Sequence, residues 1–175
     1  MAEKFIRNLA LFLCVFSLGA VSAMGQTDLG AATYPTSGSP ASMSNGSGVT
    51  NQDVVTGITI DDSSTLGWTL TVSSTNGPST QPRLLNSVNS STIDYDLKIN
   101  NISGTLGTGL TVSPPANTTL VFSGGSTAIE TTGTASSSTI NYRFDLRMTI
   151  ADASTVGKLA GTYVDTLSLL LASKD

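Results

Sequence analysis

The chain contains no histidine and a single cysteine, Cys14. Without an imidazole there is no Ser-His-Asp or Cys-His arrangement to assemble, and zinc loses its usual nitrogen and sulfur ligands. Carboxylate, Ser-Lys and tyrosine chemistry remain. Lys98, Lys158 and Lys174 stand outside any Ser-x-x-Lys frame, and no glycine-rich phosphate loop opens a helix. These absences predict a protein that is not an enzyme and carries no cofactor or metal.

Long apolar runs are equally scarce. The one at the start, Leu9-Ala10-Leu11-Phe12-Leu13-Cys14-Val15-Phe16-Ser17-Leu18, follows Lys4 and Arg7 and precedes Val21-Ser22-Ala23. That order of basic start, apolar run and small-residue ending predicts a secretory signal peptide over residues 1–23. The run is too short for a bilayer crossing, which takes about 20 residues, and no later segment approaches that length, so no transmembrane segment is expected. Cys14 sits inside the apolar run without the small residues that precede a lipidated cysteine. It is expected to leave with the peptide, giving a secreted, cell-surface-associated product held by packing and strand pairing without disulfides.

Charge is sparse, at 11% of residues. Loss of Glu3, Lys4 and Arg7 takes the 8 basic and 12 acidic side chains to 6 and 11, a net charge of −5 that argues against nucleic acid as a partner. Aromatics make up only 6%. Ser, Thr, Gly and Asn are abundant instead, and with a mean hydropathy of +0.15 this composition fits a secreted β-protein better than a disordered chain.

The strongest local pattern is Gly67-Trp68-Thr69-Leu70-Thr71-Val72-Ser73, where Trp68, Leu70 and Val72 alternate with polar residues as in a strand with one buried side. Trp68 is the only tryptophan and is expected to anchor the core, the competing role being an exposed carbohydrate platform. Before it, Val54 to Ile60 reads as a strand and Asp61-Asp62-Ser63-Ser64 as a turn, in which Asp and Ser are ordinary formers and need no calcium. Residues 24–51 read as a flexible Gly/Ser/Thr-rich leader. Within it, Gln26 to Tyr34 has a second reading as a donor strand for a neighbouring subunit, because Leu29, Ala31 and Thr33 alternate with other residues.

After Asn76-Gly77-Pro78 a polar loop containing Leu84-Leu85 is expected to run to Ser91. Ile93 to Asn100 is a strand with Ile93, Tyr95, Leu97 and Ile99 inward and Asp94, Asp96 and Lys98 outward. The two aspartates face solvent, which argues against a glycosidase pair, since one catalytic carboxyl must be desolvated. Leu106 to Val112 is a short strand stopped by Pro114-Pro115, and Thr118 to Ser123 with Thr127 to Thr132 form a hairpin across Gly124-Gly125. Thr139 to Ile150 is the longest alternation. Ile140, Tyr142, Phe144, Leu146, Met148 and Ile150 lie inward; Asn141, Arg143, Asp145, Arg147 and Thr149 lie on a wet face. Arg143 and Arg147 are the candidate surface for an anionic glycan or polymer, with charge pairing to neighbouring carboxylates as the plainer role. Lys158 to Leu171 reads as a turn followed by a closing strand with Leu167, Leu169 and Leu171 facing the core, and Tyr163 is a further candidate core or motif residue.

About eight short strands with frequent turns predict an all-β fold, an antiparallel immunoglobulin-like β-sandwich over residues 52–175. Two stretches, Ile58-Thr59-Ile60-Asp61-Asp62 leading to Gly67-Trp68-Thr69-Leu70-Thr71-Val72, and Ala160-Gly161-Thr162-Tyr163 to Leu171, resemble the WxL-type cell-surface domain. Trp68-Thr69-Leu70 matches its first motif, while Leu169-Leu170-Leu171 stands where a second tryptophan motif would lie. The same ending is similar to the last strand of spore-coat-U-type secreted pilus subunits, which usually carry cysteines. Both resemblances imply a noncatalytic envelope role: cell-wall-associated or adhesive in the first case, a fimbrial subunit polymerising by donor-strand exchange in the second. The partners implied are a cell-envelope polymer, other surface proteins or further copies of the chain.

Overall fold

The computed structural model describes residues 9–13, 42–62, 64–77, 80–136 and 140–174. Twelve strands follow in chain order: β1 (Leu9–Leu13), β2 (Ser42–Met43), β3 (Val49–Asp62), β4 (Trp68–Ser74), β5 (Arg83–Leu85), β6 (Thr92–Asp94), β7 (Asp96–Thr105), β8 (Leu110–Ser113), β9 (Ser126–Gly133), β10 (Ile140–Ile150), β11 (Thr162–Asp165) and β12 (Leu167–Ser173). Among the described residues one short helix, α1 (Asp152–Thr155), links β10 to β11. No helix among the described residues is long and apolar enough to cross a membrane.

Two antiparallel sheets face each other as a sandwich. One has the order β3-β10-β7 and the other β12-β4-β9-β8. The alternation along β10 explains its central place: Tyr142, Phe144, Leu146, Met148 and Ile150 are all buried, and the strand is paired on both sides, with β3 and with β7. From the opposite layer β4 contributes Trp68, Leu70 and Val72, each wholly buried. The indole of Trp68 stacks on Phe144, ring centres 6.4 Å apart at 9°, and meets Tyr142 at 5.9 Å.

A third sheet, β2-β1-β11-β5-β6, continues both layers at one end. β6 runs into β7 through Tyr95 alone, and β11 into β12 through Thr166 alone. Two lengths of chain thus serve two sheets each.

Several boundaries differ from the sequence reading. Asp61 and Asp62 lie in β3, opposite Asn141 and Ile140, rather than in a turn. Within the expected leader, Ser42–Met43 is a strand and β3 starts at Val49; Met43 is buried in the core. β5 falls inside the expected polar loop because Leu84 is wholly buried. Residues 118–123 form no continuous strand, although Leu120 and Phe122 are buried; isolated bridges at Thr119 and Ser123 replace a ladder. At Gly124 and Gly125, φ is +63° and +81°, the positive values a tight two-residue turn requires. The expected donor segment, residues 26–34, lies outside the described residues, as does most of the expected signal peptide, but Leu9–Leu13 pairs with β2 and β11.

Candidate functional site

The expected core and motif residues converge. Trp68, Leu70, Tyr163, Leu167 and Leu169 are buried, and Leu171 is half-buried against the same core. Burial rules out an exposed carbohydrate platform at Trp68. The backbone around the tryptophan is held closely: Thr131 Oγ1 accepts from Trp68 N at 2.8 Å and lies 3.2 Å from Trp68 O, to which it donates. Gly67, at φ +80°, permits that approach, because a Cβ there would collide with Thr131 Oγ1. Trp68 Nε1 is buried without a hydrogen-bond partner among the described residues.

A second cluster centres on Asp165, which has no exposed surface. Its Oδ2 accepts from Tyr95 OH at 2.5 Å and Ser74 Oγ at 2.6 Å. Its Oδ1 accepts from the backbone N–H groups of Thr166 at 2.8 Å and Asn76 at 3.2 Å. All four donors come from places where chain leaves one sheet for another: the end of β4 and the turn after it, the β6/β7 break and the β11/β12 break. One carboxylate therefore fixes three junctions. The sequence carried a signal for it, since Asp165 is in phase with the inward residues Tyr163, Leu167 and Leu169, where an acid requires a polar reason.

Burial, followed by the Asp165 charge and hydrogen bond, raises the Tyr95 hydroxyl well above its usual pKa. Tyrosine in an unfolded chain ionises near pH 10. The folded chain keeps Tyr95 protonated beyond that point, so its contribution is complete below about pH 10 and falls as pH rises toward the folded pKa. Between pH 9 and 11.5 the unfolding free energy should decline, and Tyr95→Phe should remove up to about 1.4 kcal/mol per pH unit of that slope. Urea titrations of both proteins across this range check it; equal slopes would refute the assignment.

The wet face of β10 is a third cluster. Asp145, expected in solvent, is buried. Register shifts interrupt both β10 ladders beside it, between Phe144 and Leu146 on β3 and between Arg143 and Asp145 on β7. The neighbouring strands bring a donor to each carboxylate oxygen at these irregularities: Gly57 N at 2.6 Å to Oδ1 and Asn101 Nδ2 at 2.5 Å to Oδ2. Both donors sit at positive φ, +72° for Gly57 and +50° for Asn101. At each irregularity the extra residue lies in the neighbouring strand, β3 or β7, so the bulges close over Asp145 while it keeps its place in the β10 alternation.

Of the two candidate arginines, Arg147 is held by Asp53 through paired bonds of 2.6 and 3.0 Å. Arg143 is exposed on the same strand, and a Cβ added to Gly57 would stand 3.0 Å from its guanidinium. The two are therefore not equivalent: an anion would compete with Asp53 at Arg147, whereas Arg143 is on open surface. Asp94 pairs with Arg83 at 2.6 Å, and Asp96 accepts weakly from Gln81 at 3.4 Å. Gln81, Asp94 and Asp96 line a cleft of about 110 Å³ with Tyr95, Thr149, Ala151 and Ser154. Among the described residues no three His, Cys, Asp or Glu side chains are placed to hold a metal.

Comparison with protein-family models, curated proteins and solved structures returns no match to this chain.

Proposed function

We propose that the chain is a noncatalytic, secreted β-sandwich protein of the cell surface, immunoglobulin-like in plan, with a structural, cell-wall-associated or adhesive role. The observation that carries this reading is the use made of its buried polar groups. Asp165 and Asp145, the two buried carboxylates of the described residues, accept four and two hydrogen bonds from donors that tie strands together. Export rests on the Lys4/Arg7 start, the apolar run and Val21-Ser22-Ala23. Exposed Arg143 is the residue offered to an anionic envelope polymer.

A fimbrial subunit is the alternative. It is favoured by β12, which is the end strand of its sheet. An end strand presents unpaired backbone to an incoming chain.

Fractionation of producing cells, with N-terminal sequencing of the recovered protein, tests the proposal. The expected product begins within residues 24–27 and is found outside the cytoplasm with the envelope. A cytoplasmic product retaining Met1 would overturn the reading.

A further inference from the structure

We infer that the open edge of β12 pairs with β12 of a second copy of this chain, antiparallel and two-fold symmetric about Leu170. The backbone phase of the strand carries the inference. Thr75 N donates to Thr166 O just before β12 begins, and Lys174 N donates to Gly67 O just after it ends. Both contacts keep the register of the ladder between them, which runs from Leu167↔Ser74 to Ser173↔Trp68 without a shift. Opposed residues of an antiparallel pair alternate between those that exchange backbone bonds and those that do not, so Ser168, Leu170 and Ala172 turn their N–H and C=O groups toward β4. Leu169 and Leu171 turn theirs the other way, where no strand lies among the described residues.

The other edges of the two facing sheets are blunted. β3 is interrupted by register shifts and by positive φ at Asn51 and Gly57, +55° and +72°. Along β7, Asn117 N donates to Ile99 O and Leu120 N to Leu97 O, so residues 117–120 cover that side. β8 is four residues long and runs into Pro114-Pro115, which bring no backbone donor. Bulges, covering segments, proline and short length are the usual means by which a fold closes an edge to other chains. β12 has none of them: it is seven residues without charge, proline or irregularity.

The strand suits a copy of itself. Its outward side chains are Ser168, Leu170 and Ala172, and Leu170 is 43% exposed. Rotation about Leu170 sets Ser168 against Ala172 of the second copy, and the two Leu170 side chains meet on the axis with Cβ atoms about 5 Å apart, which covers the exposed leucine. Leu169 then exchanges backbone bonds with Leu171 of the second copy, and Leu171 with its Leu169, so the open groups on both chains gain partners. No charge on the strand repels a like strand or selects an unlike one. A patch that maps onto itself closes after two chains, joining the four-stranded sheet of each copy into one.

The test uses the purified full chain; β12 is present with or without residues 1–23, so the outcome is independent of export. Sedimentation equilibrium is expected to show the mass of one chain at dilution rising to that of two, and no further. The amides of Leu169 and Leu171 should exchange rapidly at dilution and slowly in the dimer, while those of Ser168, Leu170 and Ala172 are slow in both. Leu170→Lys, at an exposed position, should keep the unfolding midpoint of the dilute protein and lose the dimer. Leu170→Cys, made with Cys14→Ser so that it is the only thiol, should give an intermolecular disulfide on mild oxidation, since opposed Cα atoms at such a pair are about 4.5 Å apart. The exchange and disulfide measurements decide without Leu170→Lys should that variant not fold. The mass of one chain at every concentration, or exchange at Leu169 and Leu171 that concentration does not change, would overturn the proposal. Oligomers beyond two chains would overturn the closed pair in favour of a fibre. A dimer that survives Leu170→Lys, or one in which Leu170→Cys stays a free thiol, would overturn this edge and register as its contact.

Discussion

Trp68→Ala is expected to lower the unfolding free energy by about 3–5 kcal/mol. The indole has no exposed surface, stacks on Phe144 and meets Tyr142 across the two layers, so its removal leaves a cavity where the sheets are joined. Collapse into that cavity is opposed from both sides. Below it the β4 backbone is pinned to Thr131, and above it β10 is paired along its length with two strands. The unpartnered Nε1 offsets part of the loss, since the substitution also deletes a buried polar group that lacks a bond. A domain of this size is typically stable by about 5–15 kcal/mol, so the variant should be largely unfolded in modest urea. Circular dichroism against urea measures the change, because the variant has no tryptophan to report. Iodide should quench the native indole only on unfolding; a loss below about 1 kcal/mol would show that the layers repack freely.

Asp165→Asn should cost a comparable amount, about 3–5 kcal/mol, although it preserves shape and volume. Each carboxylate oxygen accepts two hydrogen bonds, from Tyr95 and Ser74 on one side and from two backbone N–H groups on the other. An amide has one accepting side only. Its NH₂ must confront either the two hydroxyl donors or the two backbone donors, and the hydroxyls alone can turn away. Asp165→Ala leaves all four donors unmet and should be no better. The double variant Asp165→Asn with Tyr95→Phe removes one of the confronted hydroxyls and should recover part of the loss. Additive losses in that cycle would separate the two side chains energetically and contradict the shared junction.

The core was legible wherever strict alternation and large apolar residues coincide. β10 and β4 follow from period two alone, because each inward position carries a side chain big enough to define a face. The all-β architecture follows from the same periodicity. What escaped the pattern lies where backbone irregularity overrides it. Asp145 alternates with Phe144 and Leu146 as a wet residue should, yet bulges in both neighbouring strands enclose it. Tyr95 reads as the middle of one strand, but it is the break between two. Leu120 and Phe122 show the converse: their alternation correctly marked burial, while Asn117, at φ +62°, and the bonds from Leu120 N to Leu97 O and from Asn117 N to Ile99 O make an irregular run. Asp165 was visible as an acid in an inward phase, but its four donors come from sequence positions far apart that only the topology unites.

The β12/β4 pairing has a mechanical consequence. From Leu167↔Ser74 to Ser173↔Trp68 the register is unbroken, and its hydrogen bonds lie across the strand direction. A pull along β12 therefore loads that whole ladder in shear, instead of opening it one rung at a time. The far end is fastened as well: Lys174 N donates to Gly67 O at 2.9 Å, and Lys174 Nζ reaches Glu130 at 2.7 Å and Thr131 O at 2.5 Å. Traction on the C-terminal end must break this fastening before it can begin to peel β12 from its neighbour.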